Sequence, residues 1–107
     1  MHLSIPREAA AYFESVNAGN ATAALNSFHS KARILDVDRV IAGASDIQEW
    51  LVNEVMGGTY RLVKTTPQPS GVRVLLEFTT PDNETFRADY LLTFLDGKIE
   101  TANLQYA

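Results

Sequence analysis

The sequence predicts an α+β fold in which three N-terminal helices wrap a cone-shaped, curved and mostly antiparallel sheet. Three observations carry that expectation. Helical apolar spacing is confined to the first half of the chain, the second half reads as four alternating runs broken by turn residues, and one strand-like run interrupts the helices. Helices at one end of a chain and consecutive strands at the other segregate to opposite layers of a domain.

Pro6 suits a first helical turn because its missing N–H is not needed there, and Ser4 is a candidate N-cap. Ala9, Tyr12, Phe13 and Val16 then share one face, so the first helix is expected from Pro6 to Asn17. Ala18-Gly19-Asn20 supplies a glycine stop, after which Asn20 caps a short second helix carrying Ala23, Ala24 and Phe28 and ending near His29. From Ala32 the pattern alternates. Ile34, Asp36 and Asp38 fall on one side of an extended chain, with Arg33, Leu35 and Val37 on the other. Val40-Ile41-Ala42-Gly43 implies that the chain has turned by then, which makes Asp38 a solvated loop residue. Ser45 with Gln48 has capping-box spacing, and Ile47, Trp50, Leu51, Glu54 and Val55 follow at helical intervals until Gly57-Gly58.

The remaining strands are expected over Thr59–Thr66, Val72–Thr80, Thr85–Leu95 and Lys98–Tyr106, joined by Pro- and Asn/Asp-Gly-type turns. Val72, Val74, Leu76 and Phe78 make one apolar face, and Phe86, Ala88, Tyr90, Leu92 and Phe94 make another. Arg73, Glu77, Arg87 and Asp89 fall on the reverse side.

A chain of 107 residues is expected to form a single domain spanning positions 1–107, since two halves would each be too small to bury a stable core. Its 46% apolar and 21% charged residues are those of a globular protein. A net charge of −4 with nine scattered basic residues argues against nucleic-acid binding. The absence of cysteine removes thiol chemistry and disulfides, and two distant histidines assemble no metal site. No segment has the ~18 apolar residues of a membrane span or the pattern of a signal peptide, so a cytoplasmic location is expected. Glycine-rich phosphate loops and a Gly-x-Ser-x-Gly elbow are missing, which leaves nucleotide binding and serine hydrolysis without support.

The element order, together with Tyr12 to Asn20, Ala32 to Asp36, Gly43 to Trp50 and Phe94 to Ile99, resembles the nuclear transport factor 2-like superfamily, and within it the SnoaL-like and ketosteroid isomerase-like branch. The resemblance covers essentially the whole chain. It implies a cystatin-like cone, no cofactor, and three site positions. Tyr12 matches the first-helix tyrosine that donates to an oxyanion, and Asp36 matches the general base near the end of the first strand. Tyr90 stands where the isomerases have a protonated aspartic acid, and Asp89 beside it points to the wrong face. Tyr12, Asp36 and Tyr90 are therefore the candidate catalytic groups. Steroid isomerisation is a standard case of a phenol, a neutral acid and a base working together.

The expected cavity lies between the first helix, the third helix and the concave sheet face. Val16, Phe28, Ile34, Trp50, Leu76, Phe78, Phe86, Phe94, Leu104 and Tyr106 are its expected ligand-binding lining. Two functions fit. In one, Asp36 removes a proton beside the carbonyl of a small apolar molecule, as in an isomerase or cyclase; in the other, the cavity binds a ligand, or is self-filled, without chemistry. For Asp36 the structural alternative is a strand-end ion pair with Arg39, and for Tyr12, Tyr90 and Tyr106 it is core packing. His29 is expected to cap the second helix. The convex face, with Thr101, Asn103, Gln105, Leu91 and Thr93, is the expected homodimer surface.

Overall fold

In the computed structural model, which describes residues 5–107, α1 runs from Arg7 to Asn17 behind Pro6 and buries Ala9, Tyr12, Phe13 and Val16, the face its spacing predicts. The expected Ser4 cap lies outside the described residues. α2 (Ala21–Asn26) is capped by Asn20, whose Oδ1 accepts from the Ala23 N–H at 3.0 Å.

α2 is shorter than its composition suggests. Phe28 and His29 belong to β1 (Phe28–Asp36), because Phe28 pairs with Ile99 across the sheet and tertiary pairing overrides weak helical propensity. His29 is accordingly no helix cap; its Nδ1 accepts from the Lys31 N–H at 3.1 Å, and its Nε2 lies 3.7 Å from Asp96.

β1 turns through Val37 and Asp38 into β2 (Arg39–Ala42), a strand that the apolar run at Val40 conceals in the sequence. Asp36 pairs with Arg39 in this two-residue hairpin, and Val37 takes a φ of 61°, which suits the turn but strains a β-branched residue. Asp38 is exposed in the loop. α3 (Ala44–Trp50) starts two residues earlier than expected. Gly43, with φ 87°, is its N-cap in place of Ser45, and the Ile47 N–H donates to the Gly43 carbonyl at 3.0 Å. A π-helical turn, Leu51–Val55, continues α3 and ends before Gly57.

β3 (Thr59–Gln68), β4 (Gly71–Thr79), β5 (Thr85–Leu95) and β6 (Lys98–Tyr106) form the expected meander. Six strands make one sheet in the order β2-β1-β6-β5-β4-β3, with β1 and β6 parallel and every other pair antiparallel. Its inner face carries Ile34, Val72, Val74, Leu76, Leu92, Ile99 and Leu104 against α1, α3 and the π-helical turn. On the reverse face Glu77 bridges Arg61 and Arg87, and Arg73 approaches Asp89. Among the described residues no helix is long and apolar enough to cross a membrane.

At Gly71 the β4 backbone comes into close contact with β5. A Cβ there would stand 1.8 Å from the Leu92 carbonyl oxygen and 2.9 Å from the Thr93 Cα, both backbone atoms that cannot swing away. Gly71→Ala is expected to destabilise the fold by about 1–3 kcal/mol through overpacking, read as a lower denaturant midpoint at unchanged slope. An unchanged midpoint would contradict this account of the β4–β5 contact.

Candidate functional site

A cavity of about 230 Å³ with a mixed polar and apolar wall opens between the π-helical turn, the β1–β2 hairpin and the inner sheet face. Trp50, Phe78, Phe86, Tyr90, Leu104 and Tyr106 line it, together with the Asp36 carboxylate. Its mouth is rimmed by Val37, Phe86 and Tyr106, which remain 47%, 37% and 70% exposed.

The remaining expected lining residues pack elsewhere. Tyr12, Val16, Phe28, Ile34 and Leu76 are buried in the solid part of the core, and Phe94 packs at its margin. The physical reason is filling: Tyr12 stands edge-on to Phe13 and to Phe28, both at 5.3 Å, so aromatic rings occupy the inner end of the cone.

Tyr12 communicates with the cavity through a residue the sequence reading passed over. Its hydroxyl bonds Tyr60 Oη at 2.8 Å, and Tyr60 Oη in turn lies 3.3 Å from Tyr90 Oη. Tyr60 and Tyr90 line the cavity; Tyr12 sits behind them. Tyr60 is held in place by Asn17 at the end of α1, whose side chain donates to the Tyr60 carbonyl at 2.9 Å and accepts from its N–H at 2.7 Å. The available signal was alternation: Tyr60 is the second residue of β3, which begins directly after Gly57-Gly58, and it stands two residues before the inward Leu62.

Three hydroxyl protons serve two links in this chain, so one proton is left over. If the bonds ran from Tyr90 towards Tyr12, the spare proton would be buried at Tyr12, where Tyr60 is the hydroxyl's partner among the described residues. Running from Tyr12 through Tyr60 to Tyr90, they leave the Tyr90 proton facing the cavity, which avoids an unsatisfied buried donor. Burial pushes all three phenols well above their ordinary value, and the neighbouring phenols and the Asp36 charge push Tyr60 and Tyr90 further. They are neutral donors throughout the physiological range.

Asp36 ends β1 on the same inward side as Ile34 and is half-buried. Its Oδ2 accepts from Arg39 Nη2, while Arg39 also holds both Glu54 oxygens, at 2.8 and 2.9 Å. These bonds, Glu54's first, raise the guanidinium above its already high value. The hairpin is thereby clasped to the π-helical turn, and the ion pair with Arg39 coexists with a place in the cavity wall.

No family model matches the sequence, and no curated protein matches it significantly. Solved structures do match. An NTF2-like protein of unknown function from Cytophaga hutchinsonii superposes with a TM-score of 0.85 at 12% identity, covering 100% of this chain and 93% of that one. The epoxide hydrolase/cyclase-like enzyme SalBIII, of pyran ring formation in the polyether salinomycin, gives 0.84 at 22% identity over 94% of this chain and 88% of that one. A protein with a ketosteroid isomerase-like fold from Catenulispora acidiphila, in complex with trimethylamine, gives 0.81 at 14% identity over 97% and 88%. The chain thus has the nuclear transport factor 2-like fold, as its sequence resemblance implies.

Proposed function

We propose that this protein binds a small, largely apolar carbonyl compound and moves a proton on it, as an isomerase or cyclase that needs no cofactor. Asp36 takes a proton from the carbon next to the carbonyl, and Tyr90, backed by Tyr60 and Tyr12, donates a hydrogen bond to the oxygen that becomes negative. Return of the proton to another atom completes an isomerisation. The observation that carries this reading is the shared cavity: a carboxylate and the open end of a phenol chain line the same wall, among apolar and aromatic side chains. At about 230 Å³ the space is below the ~300–1,000 Å³ of drug-sized ligand sites, which favours a small substrate over a steroid. The cyclase-like and isomerase-like folds among its structural neighbours are consistent with such chemistry.

The test is conversion of cyclohex-3-enone to its conjugated isomer, followed by ultraviolet absorbance, with Trp50 emission reporting binding. A saturable rate above buffer is expected. No rate and no change in emission would end the proposal. The ion pair between Asp36 and Arg39 supports a second reading, a binding module in which Asp36 is structural; it gives altered emission without turnover.

We also infer a homodimer through the outer sheet face. There Leu35 and Val40 pair while 41% and 53% exposed, and Leu35 neighbours Asn103, itself opposite Leu91. Leu35→Glu would place a charge in that patch and is expected to convert a dimer to a monomer by light scattering. A parent protein that is already monomeric sinks the inference. A cytoplasmic setting remains part of the same proposal.

A further inference from the structure

The wall chemistry of the cavity narrows the ligand class. Among the described residues lining it, the charged ones are Asp36 and Glu54, both acidic. One guanidinium, Arg39, serves both, so two negative charges against one positive leave a single negative charge. Glu54 commits both oxygens to Arg39, whereas Asp36 engages it through Oδ2. The cluster therefore carries one net negative charge at the cavity wall, where Asp36 and Glu54 both stand and Asp36 keeps its second oxygen free of Arg39.

Six aromatic rings, those of Trp50, Tyr60, Phe78, Phe86, Tyr90 and Tyr106, make up much of the rest of the wall. Phe78 and Phe86 meet edge to face at 5.9 Å, Phe86 and Tyr106 at 5.5 Å, and Trp50 stands on the helical side. Ring faces carry negative potential and attract a cation held within about 6 Å, most strongly when it is desolvated. A metal ion is a poor match, since no group of three or more acidic or histidine ligands gathers among the described residues. A nitrogen cation sheathed in methyl groups meets both demands, because it is weakly hydrated and apolar at its surface.

We propose that the cavity takes small organic cations of the alkylammonium class in preference to neutral molecules of the same shape. The proposal rests on the reading above that the cavity takes a ligand, and it assigns the positive charge of that ligand to the Asp36 and aromatic wall.

Trp50, the sole tryptophan, provides the readout. Choline and its neutral isostere 3,3-dimethyl-1-butanol, which replaces the nitrogen by carbon, are titrated into the protein while Trp50 emission and ligand proton NMR line widths are followed. Choline is expected to bind at least tenfold more tightly. Asp36→Asn should bring the two affinities within about threefold, and Tyr106→Leu should weaken choline alone. Equal affinities, or tighter binding of the alcohol, overturn the cation preference and leave the ligand pocket standing. Binding of neither overturns the cation preference, and the enone titration alone decides the carbonyl reading.

Discussion

Asp36→Asn is expected to lower enone isomerisation by about 10²–10⁴-fold, the usual contribution of a positioned general base. Asparagine keeps the size of the side chain and an oxygen for Arg39 to bond, so the β1–β2 hairpin stays clasped to the π-helical turn through Glu54. The amide cannot accept the proton. Thermal unfolding of the variant is therefore expected within a few degrees of the parent, while kcat falls and KM changes little. An equally active variant would remove Asp36 from the chemistry and leave the binding-module reading.

Two tyrosine substitutions are expected to separate along the phenol chain. Tyr90→Phe removes the hydroxyl proton that faces the cavity and is expected to cost about 10²–10³-fold in kcat, the typical loss of one oxyanion donor. The Tyr12–Tyr60 bond at 2.8 Å survives, but the buried Tyr60 proton loses its acceptor, so a destabilisation smaller than that of Tyr60→Phe accompanies the rate loss. Tyr60→Phe acts on the fold. It leaves the Tyr12 hydroxyl buried without its partner, at a cost of about 1–3 kcal/mol measured by denaturant unfolding. Tyr90 keeps its own proton but loses the neighbour that polarises it, so a smaller rate loss accompanies the destabilisation. Full activity in Tyr90→Phe would contradict the direction assigned to the chain.

The elements with strong local signals were legible. The α1 face, the inward rows of β4 and β5 and the bounds of β5 and β6 follow from periods of 3.6 and 2. Local competition explains the errors. Phe28 satisfies a helical spacing and a strand position equally well, and its pairing with Ile99 decides between them. Val40-Ile41-Ala42 is too short to declare a strand until β1 lies beside it.

For the site, the inward direction of Asp36 and Tyr90 could be read from alternation with Ile34 and Leu92. What those residues meet could not. Tyr12 and Tyr60 are 48 positions apart, and Arg39 reaches Glu54 across 15. By itself the sequence determined the α+β cone, its apolar inner face and the inward carboxylate, because each depends on which side of its own element a side chain projects. Only the tertiary structure decided that Tyr12 stands behind Tyr60, that aromatic rings fill the inner end of the cone, and that one arginine serves two carboxylates. Those outcomes depend on distances between elements, which are set when the whole core packs together.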